Sequence, residues 1–576
     1  MIALRHDYHW HLNTKNYYYL AKVNYLFVTP PQFEPSYPSL AIPCLIAFLK
    51  KNGVERIIHK DLNVDSYNYF ISNEYLEILV KKYRYHRKYK NIIKDTKSAK
   101  HQIRNNSVTP KEYAAAKERI ISALELVSLD SEYFNLSFNN LTYKGIDVSE
   151  DSIEKIIADE HLNIYAVFFR KILDRSILMS SDVVCISINY ETQLLPAITL
   201  ARLVKKISDV KICAGGSYLT HLNDEILTLP YLFKYMDYII TGEGETPLYS
   251  LHQYLNNNKR IEEVENLYFI QGGIVRKSCK VSYEIVKELP TPDFKDIVFN
   301  KYFSPIKILP IYHSRGCYWN KCKFCSHTYS YSHYRTRSSQ SVVNDIKKYK
   351  SKYDCQSFYF VDEALHPMQL ESLSEMISDC KVRWGSQIRF EQEITRDLCI
   401  NLKKSGYTNT LIGLESANDN ILTLMGKGTN LKTIYQVIDN LYNAKINIWL
   451  MFFLGFPGES YNEAENTLNF IKNVQNKIVS TYGTGFVLTK NSYIHSHPDE
   501  YRVEIGKQND YFILQVPFKS QQALTDEQIG VLLDIYRKKI ASNLIDLVLS
   551  NSHGMFFSYY DFKQLSLLKT QKSDYE

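Results

Sequence analysis

Apolar residues along this chain fall into two alternating rhythms: short continuous runs, and longer stretches in which they recur every three to four positions. The first run, YLFVTPP from Tyr25, predicts a strand stopped by Pro30 and Pro31, since proline cannot donate to a ladder. SLAIPCLIAFLKKNGV follows with Leu40, Cys44, Leu45, Phe48 and Leu49 on one helical face and Gly53 closing it. ERIIHKDLN then predicts a second strand, completing the strand–helix–strand unit of a parallel sheet. The rhythm resumes at Asp182 with DVVCISINY, a run apolar enough to be covered on both faces. A helix (LLPAITLARLVKKI), a strand (VKICAGG), a further helix and a strand (MDYIITGEGE) complete an open α/β domain over residues 24–65 and 182–255.

Between the two halves, residues 66–181 carry helical periodicity in EYLEILVKKYRY and KEYAAAKERIISALELV, which predicts a helical insertion; an unstructured loop of that length is improbable in a compact domain. Within it KKYRYHRKYK, Lys81 to Lys90, alternates basic residues with tyrosines. Such a stretch suits either RNA or an acidic peptide, or the solvated face of a helix with snorkelling side chains, and the second reading is taken here. Residues 1–23 are assigned to an N-terminal extension and 256–305 to a linker. From 306 to 490, strand and helix alternate six times: KILPIYHS, SFYFVDEALHP, VRWGSQIRF, NTLIGLESAND, NIWLMFFLGFPGES and STYGTGFVL. That cadence predicts a partial (β/α)6 TIM-type barrel with polar groups at the strand C-termini, where barrel active sites form. Residues 491–576 form an α-rich C-terminal extension, with a helix after Leu524.

Composition narrows the class. With 45% hydrophobic and 23% charged residues among 576, the chain reads as globular and long enough for several domains. A net charge of +7 is too thin for a general nucleic-acid binder. The abundance of tyrosine carries no functional assignment. The N-terminal sequence lacks the apolar core of a secretory signal, and the run from Ile448 to Phe456 is far short of a bilayer span. The expectation is a cytoplasmic protein without membrane contact. In that compartment ten cysteines are not a disulfide framework.

Seven of those cysteines are scattered singly, but HSRGCYWNKCKFCSH places Cys317, Cys322 and Cys325 in the spacing Cys-x4-Cys-x2-Cys directly after a predicted strand. Zinc sites of the structural type want four ligands, commonly two Cys-x2-Cys pairs, and no second pair exists. Three thiolates on a four-iron cluster leave one iron open to an exogenous ligand. The glycine loops Gly215-Gly216-Ser217 and Gly242-Glu243-Gly244 end two of the α/β-domain strands, the edge at which such sheets bind ligands.

The cysteine loop resembles the cluster loop of the radical S-adenosylmethionine (SAM) superfamily, in which three cysteines hold [4Fe–4S] and SAM chelates the fourth iron. The common spacing there is Cys-x3-Cys-x2-Cys with an aromatic residue before the last cysteine. Phe324 fills that position, and the first gap here is one residue longer. GLES (Gly413 to Ser416), GFPGES with Gly455 and Glu459, and the strand-end pair Asp362–Glu363 resemble what the family carries at the same strands. The resemblance implies that Asp362 or Glu363 accepts from the SAM amine and that Arg389 pairs with its carboxylate. It also implies that Glu415 and Ser416 bond the ribose or the amine, and that Phe324 and the backbone at Gly455 pack on adenine. An open α/β domain before such a barrel resembles the Rossmann-like cobalamin-binding domain of the cobalamin-dependent class, which makes Gly215, Gly216, Ser217, Gly242, Glu243 and Gly244 candidate cobalamin contacts. The chain has no Asp-x-His-x-x-Gly motif, so no histidine is nominated as a lower cobalt ligand.

What the resemblance implies is an enzyme that cleaves SAM to a 5′-deoxyadenosyl radical and, with cobalamin, C-methylates an unactivated carbon in a peptide or specialised small molecule. A flavodoxin- or ferredoxin-type protein would donate the electron. Two alternatives stand: a cobalamin-independent radical SAM rearrangement, cross-linking, dehydrogenation or cyclisation, and a non-catalytic iron–sulfur or cobalamin sensor.

Overall fold

The structure is a computed structural model, and it describes residues 23–541 apart from 84–86, 139, 146–148, 331–332, 508–511 and 521–522. The N-terminal extension up to residue 22 and the tail from 542 lie outside the described residues.

Two parallel sheets organise the chain. The first contains β1 (Tyr25–Thr29), β2 (Ile57–Asp61), β3 (Val183–Ser187), β4 (Lys211–Gly215), β5 (Tyr238–Ile240), β6 (Leu267–Gln271) and β7 (Ile274–Lys277), in the order β2-β1-β3-β4-β5-β6-β7. β1 and β3 are buried at every position, because helices cover both faces: Ala41–Lys51 and Glu245–Leu255 on one, Leu194–Ile207 on the other. The first five strands are parallel and the order reverses between β1 and β3, the switch point at which open α/β sheets bind ligands.

Residues 256–305 are more than a linker. β6 and β7 form an antiparallel hairpin on the edge of the sheet, joined through Gly272 and Gly273, both at positive φ. A Gly-Gly pair between short apolar stretches is a hairpin signal, and the register Ile240↔Leu267 fixes its place beside β5.

The insertion is mostly helical, with one small hairpin pairing Phe134–Leu136 with Leu141–Tyr143. Its longest helix, Pro110–Asp130, starts from a Thr109–Glu112 capping box with proline at the first position, two devices that satisfy or dispense with orphan N–H groups. Of the basic–tyrosine stretch, Lys82 pairs with Asp130 at 2.5 Å and Lys88 with Glu125 at 2.5 Å, so those cations lie along that helix. Its centre, 84–86, is outside the described residues.

The second sheet contains β8 (Ile308–Ile311), β9 (Ser357–Phe360), β10 (Arg383–Ile388), β11 (Tyr407–Glu415), β12 (Asn447–Leu454) and β13 (Ser480–Gly485), all parallel and in chain order. This is the six-stranded partial barrel expected from the apolar runs. The helix Asp526–Lys539 lies across its last strands: Tyr536 meets Thr481 at 2.5 Å and packs edge-on against Phe452. Among the described residues, no helix is long and apolar enough to cross a membrane.

Candidate active site

The cysteine loop leaves β8 through Ser314-Arg315, which pairs antiparallel with Arg335-Thr336. It turns at Gly316 (φ +83°) and docks on the segment Met425–Gly428. Lys323 N–H donates to the Met425 carbonyl at 2.9 Å, and Trp319 Nε1 donates to the Gly426 carbonyl at 2.8 Å. A Cβ on Gly428 would lie 1.9 Å from the Trp319 ring, so only glycine allows this approach. Cys317, Cys322 and Cys325 are partly exposed, whereas six of the other seven cysteines are buried. Those six behave as small core hydrophobes.

Burial dominates the titration of the loop's thiols, and two nearby cations act against it at Cys322. Burial raises the Cys322 thiol, and the cations of Lys427 and Arg389 oppose that rise. Burial pushes Cys325 up to about 12. Arg389 Nη1 stands 3.7 Å from Cys322 Sγ. Among the described residues, no three His, Cys, Asp or Glu side chains converge closely enough for a single metal ion. A four-iron cube spreads its ligands farther apart than one ion does, and three thiols on one loop beside two cations fit it chemically.

The predicted SAM contacts separate into three groups. Glu415 (φ +60°) forms a buried 2.6 Å ion pair with Lys427, placed there because Gly413 has no Cβ to meet the carboxylate. Lys427 Nζ is 5.9 Å from the Phe324 ring, and Arg389 Nη2 donates to the Lys427 carbonyl at 2.5 Å. Glu415, Phe324 and Arg389 therefore stand together beside Cys322. Arg389 is also held by Glu391 at 2.9 Å and by the Trp319 ring at 4.5 Å, so its guanidinium already has partners within the protein.

Ser416, Gly455 and Glu459 make the second group. Gly455 N–H donates to Glu459 Oε2 at 2.6 Å, and Ser416 is fully buried against Glu459 and Thr467. Burial pushes the Glu459 carboxyl up to about 7. These contacts hold the GFPGE turn. Gly455 (φ +86°) is covered by Ile529 of the C-terminal helix, whose Cδ1 would lie 2.4 Å from an added Cβ. In the third group, Asp362 accepts from His313 N–H, Ser314 N–H and the Ser314 hydroxyl, clamping the end of β8 to β9. That leaves Glu363 as the one of the pair facing open space, 3.3 Å from His327.

A cavity of about 640 Å³ lies between the C-terminal edges of the two sheets. Gly215, Gly216, Ser217, Gly242, Glu243 and Gly244 all line it from the first sheet, and Arg315, Gly316, His327 and Glu363 line it from the barrel. Gly216 (φ +122°) is there for a reason the cavity does not supply: its Cβ would sit 2.2 Å from the Ile188 carbonyl oxygen. Glu243 does not point a free carboxylate at a ligand. It accepts from Arg315 at 2.9 Å, Arg335 at 2.5 Å and Glu284 N–H at 2.8 Å, while Glu245 accepts from Arg315 at 2.5 Å. This buried network ties the glycine loop after β5 to the stem of the cysteine loop. Arg315, Arg335 and Lys427 are absent from the sequence-based site, since their partners lie 12 to 92 positions away, and Glu391 is absent although Arg389 is only two positions from it.

The three-cysteine loop thus sits at the mouth of a six-stranded partial barrel, with a ligand-sized cavity between that barrel and an open α/β domain. Residues 311–471 match the radical SAM superfamily. An uncharacterised methyltransferase of Pyrococcus horikoshii is 26% identical over 290 residues, 48% of this chain and 61% of that protein. The bacteriochlorophyllide d C-12(1)-methyltransferase of Chlorobaculum tepidum is 29% identical over 178 residues, 30% of this chain and 38% of that one. The chain thus spans less than two thirds of either. Among solved structures, the cobalamin-dependent S-adenosylmethionine radical enzyme OxsB with aqua-cobalamin bound superposes with a TM-score of 0.60 at 13% identity, covering 91% of this chain and 67% of that one. The radical SAM methyltransferase TsrM of Kitasatospora setae, with cobalamin and [4Fe–4S] bound, gives 0.58 at 10% identity over 96% and 99% of the two chains. Likeness at such identities establishes the fold.

Proposed function

We propose that the chain is a cobalamin-dependent radical SAM methyltransferase acting on a small molecule or peptide. The observation that carries this reading is the single cavity walled by both glycine loops of the α/β domain and by the stem of the cysteine loop. Cys317, Cys322 and Cys325 would hold [4Fe–4S], with Arg389 and Lys427 offsetting its negative charge. Glu415 and Phe324, adjacent to Cys322, would receive SAM, and Glu363 would take its amine now that Asp362 is committed to His313 and Ser314. Gly215, Gly216, Ser217, Gly242 and Gly244 would form the cavity floor under a corrin, and Arg315 with Glu243 and Glu245 would hold that floor in register with the cluster loop. When bound, these groups supply reductive SAM cleavage and a transferable methyl. The chain itself orients them and excludes water, the C-terminal helix closing the barrel over Gly455 through Ile529. The electron would come from an external flavodoxin- or ferredoxin-type donor.

The test is equilibrium titration of hydroxocobalamin into anaerobically reconstituted full-length protein. Saturable binding that is lost in Ala41→Trp, which fills the cavity wall without touching the cysteine loop, supports the reading. Absence of saturable binding at micromolar cobalamin removes methylation and leaves a cobalamin-independent radical SAM reaction.

A further inference from the structure

A second cleft lies where the helical insertion meets the segment that leads into β8. Its volume is about 680 Å³, and it is lined by Lys100, His101, Arg104, Asn105, Asn106 and Pro305. None of these residues lines the cavity between the two sheets. The lining holds three basic side chains and no carboxylate.

Lys100 and His101 lie in the last turn of the helix Ile92–Gln102, and Arg104 lies just beyond it. Arg104 ties the insertion to the entry of the barrel. Its Nε donates to the Tyr302 carbonyl at 3.0 Å, and its Nη2 donates to the Lys301 carbonyl at 2.7 Å and to Asn68 Oδ1 at 2.9 Å. The guanidinium also lies over the Phe303 ring at 4.6 Å. These partners fix its plane, and all of them are neutral. Among the described residues, Arg104 Nη1 makes no hydrogen bond, and the Lys100 side chain makes neither a hydrogen bond nor an ion pair. Asn105 Oδ1 accepts from Ser107 N–H at 2.9 Å, which leaves its Nδ2 as a further donor at the rim.

Two carboxylates stand nearby, and neither cancels this charge. Asp65 pairs with Lys301 at 2.5 Å. Glu74, on the helix Asn73–Lys82, favours the Lys100 ammonium, but burial and the charge of Arg104 outweigh it and lower the Lys100 value. No carboxylate offsets the burial of Arg104, which brings its guanidinium down to about 10. The C-terminal end of the helix contributes about half a negative charge, against the two positive charges of Lys100 and Arg104. Cations drawn out of water without a full counter-charge are costly to keep, and an anion in the cleft would relieve that cost.

A fixed guanidinium edge beside an ammonium suits the oxygens of a phosphate group, which accept charge-assisted bonds from both. We propose that this cleft binds the phosphate group of a small molecule, with Arg104 Nη1 and Lys100 Nζ as the charged donors and the Asn105 amide at the rim. Its volume falls within the range of small-molecule sites, so an organic body has room beside Pro305. The site shares no residue with the proposed cofactor sites and does not depend on the methyltransferase reading.

The experiment is calorimetric titration of the full-length protein in a phosphate- and sulfate-free buffer at low ionic strength, with inorganic phosphate, ribose 5-phosphate and ribose as probes. Both phosphates should bind saturably, and ribose should bind at least about tenfold more weakly than ribose 5-phosphate, the loss expected for one charge-assisted contact. Tighter binding of ribose 5-phosphate than of phosphate points to an organic phosphate as the ligand, and equal binding to free phosphate; either supports the site. Lys100→Gln should weaken both phosphates by about tenfold or more and keep the wild-type urea midpoint, because its side chain bonds nothing in the free protein. The double change Lys94→Gln and Lys97→Gln removes two exposed lysines of the same helix outside the cleft, and it should alter affinity by less than about threefold. No saturable phosphate binding by the wild type, ribose binding as tightly as ribose 5-phosphate, or a Lys100→Gln variant that binds like the wild type would overturn the proposal. Equal weakening by the Lys94 and Lys97 changes would overturn it too, by showing the diffuse field of a basic helix, and a fall in the Lys100→Gln urea midpoint would assign that lysine to the fold instead. The wild-type comparison decides the matter even if a variant fails to fold.

Discussion

Replacing Arg315 with methionine should loosen the junction between the two sheets. The guanidinium reaches Glu243 at 2.9 Å and Glu245 at 2.5 Å, with side-chain exposures of 14% for the arginine and 3% for each glutamate. Burying those charges is tolerable only while they are paired, and removing one partner of a buried pair costs about 3–5 kcal/mol. Arg335 stays 2.5 Å from Glu243 in the variant, so the uncompensated charge is that of Glu245, and the lower end, about 3 kcal/mol, is expected. The assay is urea unfolding of the full-length protein, followed at the first transition by circular dichroism. Arg315→Met combined with Glu245→Gln should recover most of the loss, because it removes the stranded charge rather than the contact. A loss below about 1 kcal/mol, or no recovery in the double variant, would refute the claim that this network bears on the junction.

Single Cys→Ala changes at Cys317, Cys322 or Cys325 should abolish reductive SAM cleavage, read as 5′-deoxyadenosine; a triple variant that keeps its iron and still makes that product contradicts the cluster assignment. Glu415→Ala should weaken SAM by about 10- to 150-fold, the equivalent of about 1.5–3 kcal/mol, without altering the cluster spectrum; unchanged affinity would remove the SAM site from the end of β11. Glu459 has a folded-state value of about 7 against its usual 4.5, so the stability it contributes is fully present below about pH 4.5 and lost as pH rises through about 7. About 3 kcal/mol is at stake, and Glu459→Gln should flatten the fall in urea midpoint between about pH 5 and pH 8; parallel profiles in variant and wild type would contradict the assignment.

Strands were easy to read because parallel sheets covered on both faces leave nearly unbroken apolar runs, as in DVVCISINY and NIWLMFFLGF. The hairpin of β6 and β7 was missed although Gly272-Gly273 announced it, since its outer strand is short and largely exposed. The cysteines were readable because their ligand role is written in local spacing. Lys427 was not: its meaning depends on Gly413 and Glu415, which the fold alone brings beneath it. The same holds for Arg315 and Arg335, whose carboxylate partners sit in the other domain. Gly216 is a candidate cobalamin contact by sequence, and its missing Cβ lets β4 turn past the Ile188 carbonyl. A valine there would disturb the fold as well as the cavity, which is why Ala41 is the better probe.

The most direct test of the central claim is chemical analysis of anaerobically reconstituted full-length protein for iron, sulfide and cobalamin, beside the Cys317/Cys322/Cys325 triple alanine variant. The expected result is about four iron, about four sulfide and about one cobalamin per wild-type chain, with iron and sulfide lost and cobalamin retained in the variant. Iron retained by the variant would contradict the cluster site, and a wild-type chain that carries its iron but takes up no cobalamin would contradict the methyltransferase reading.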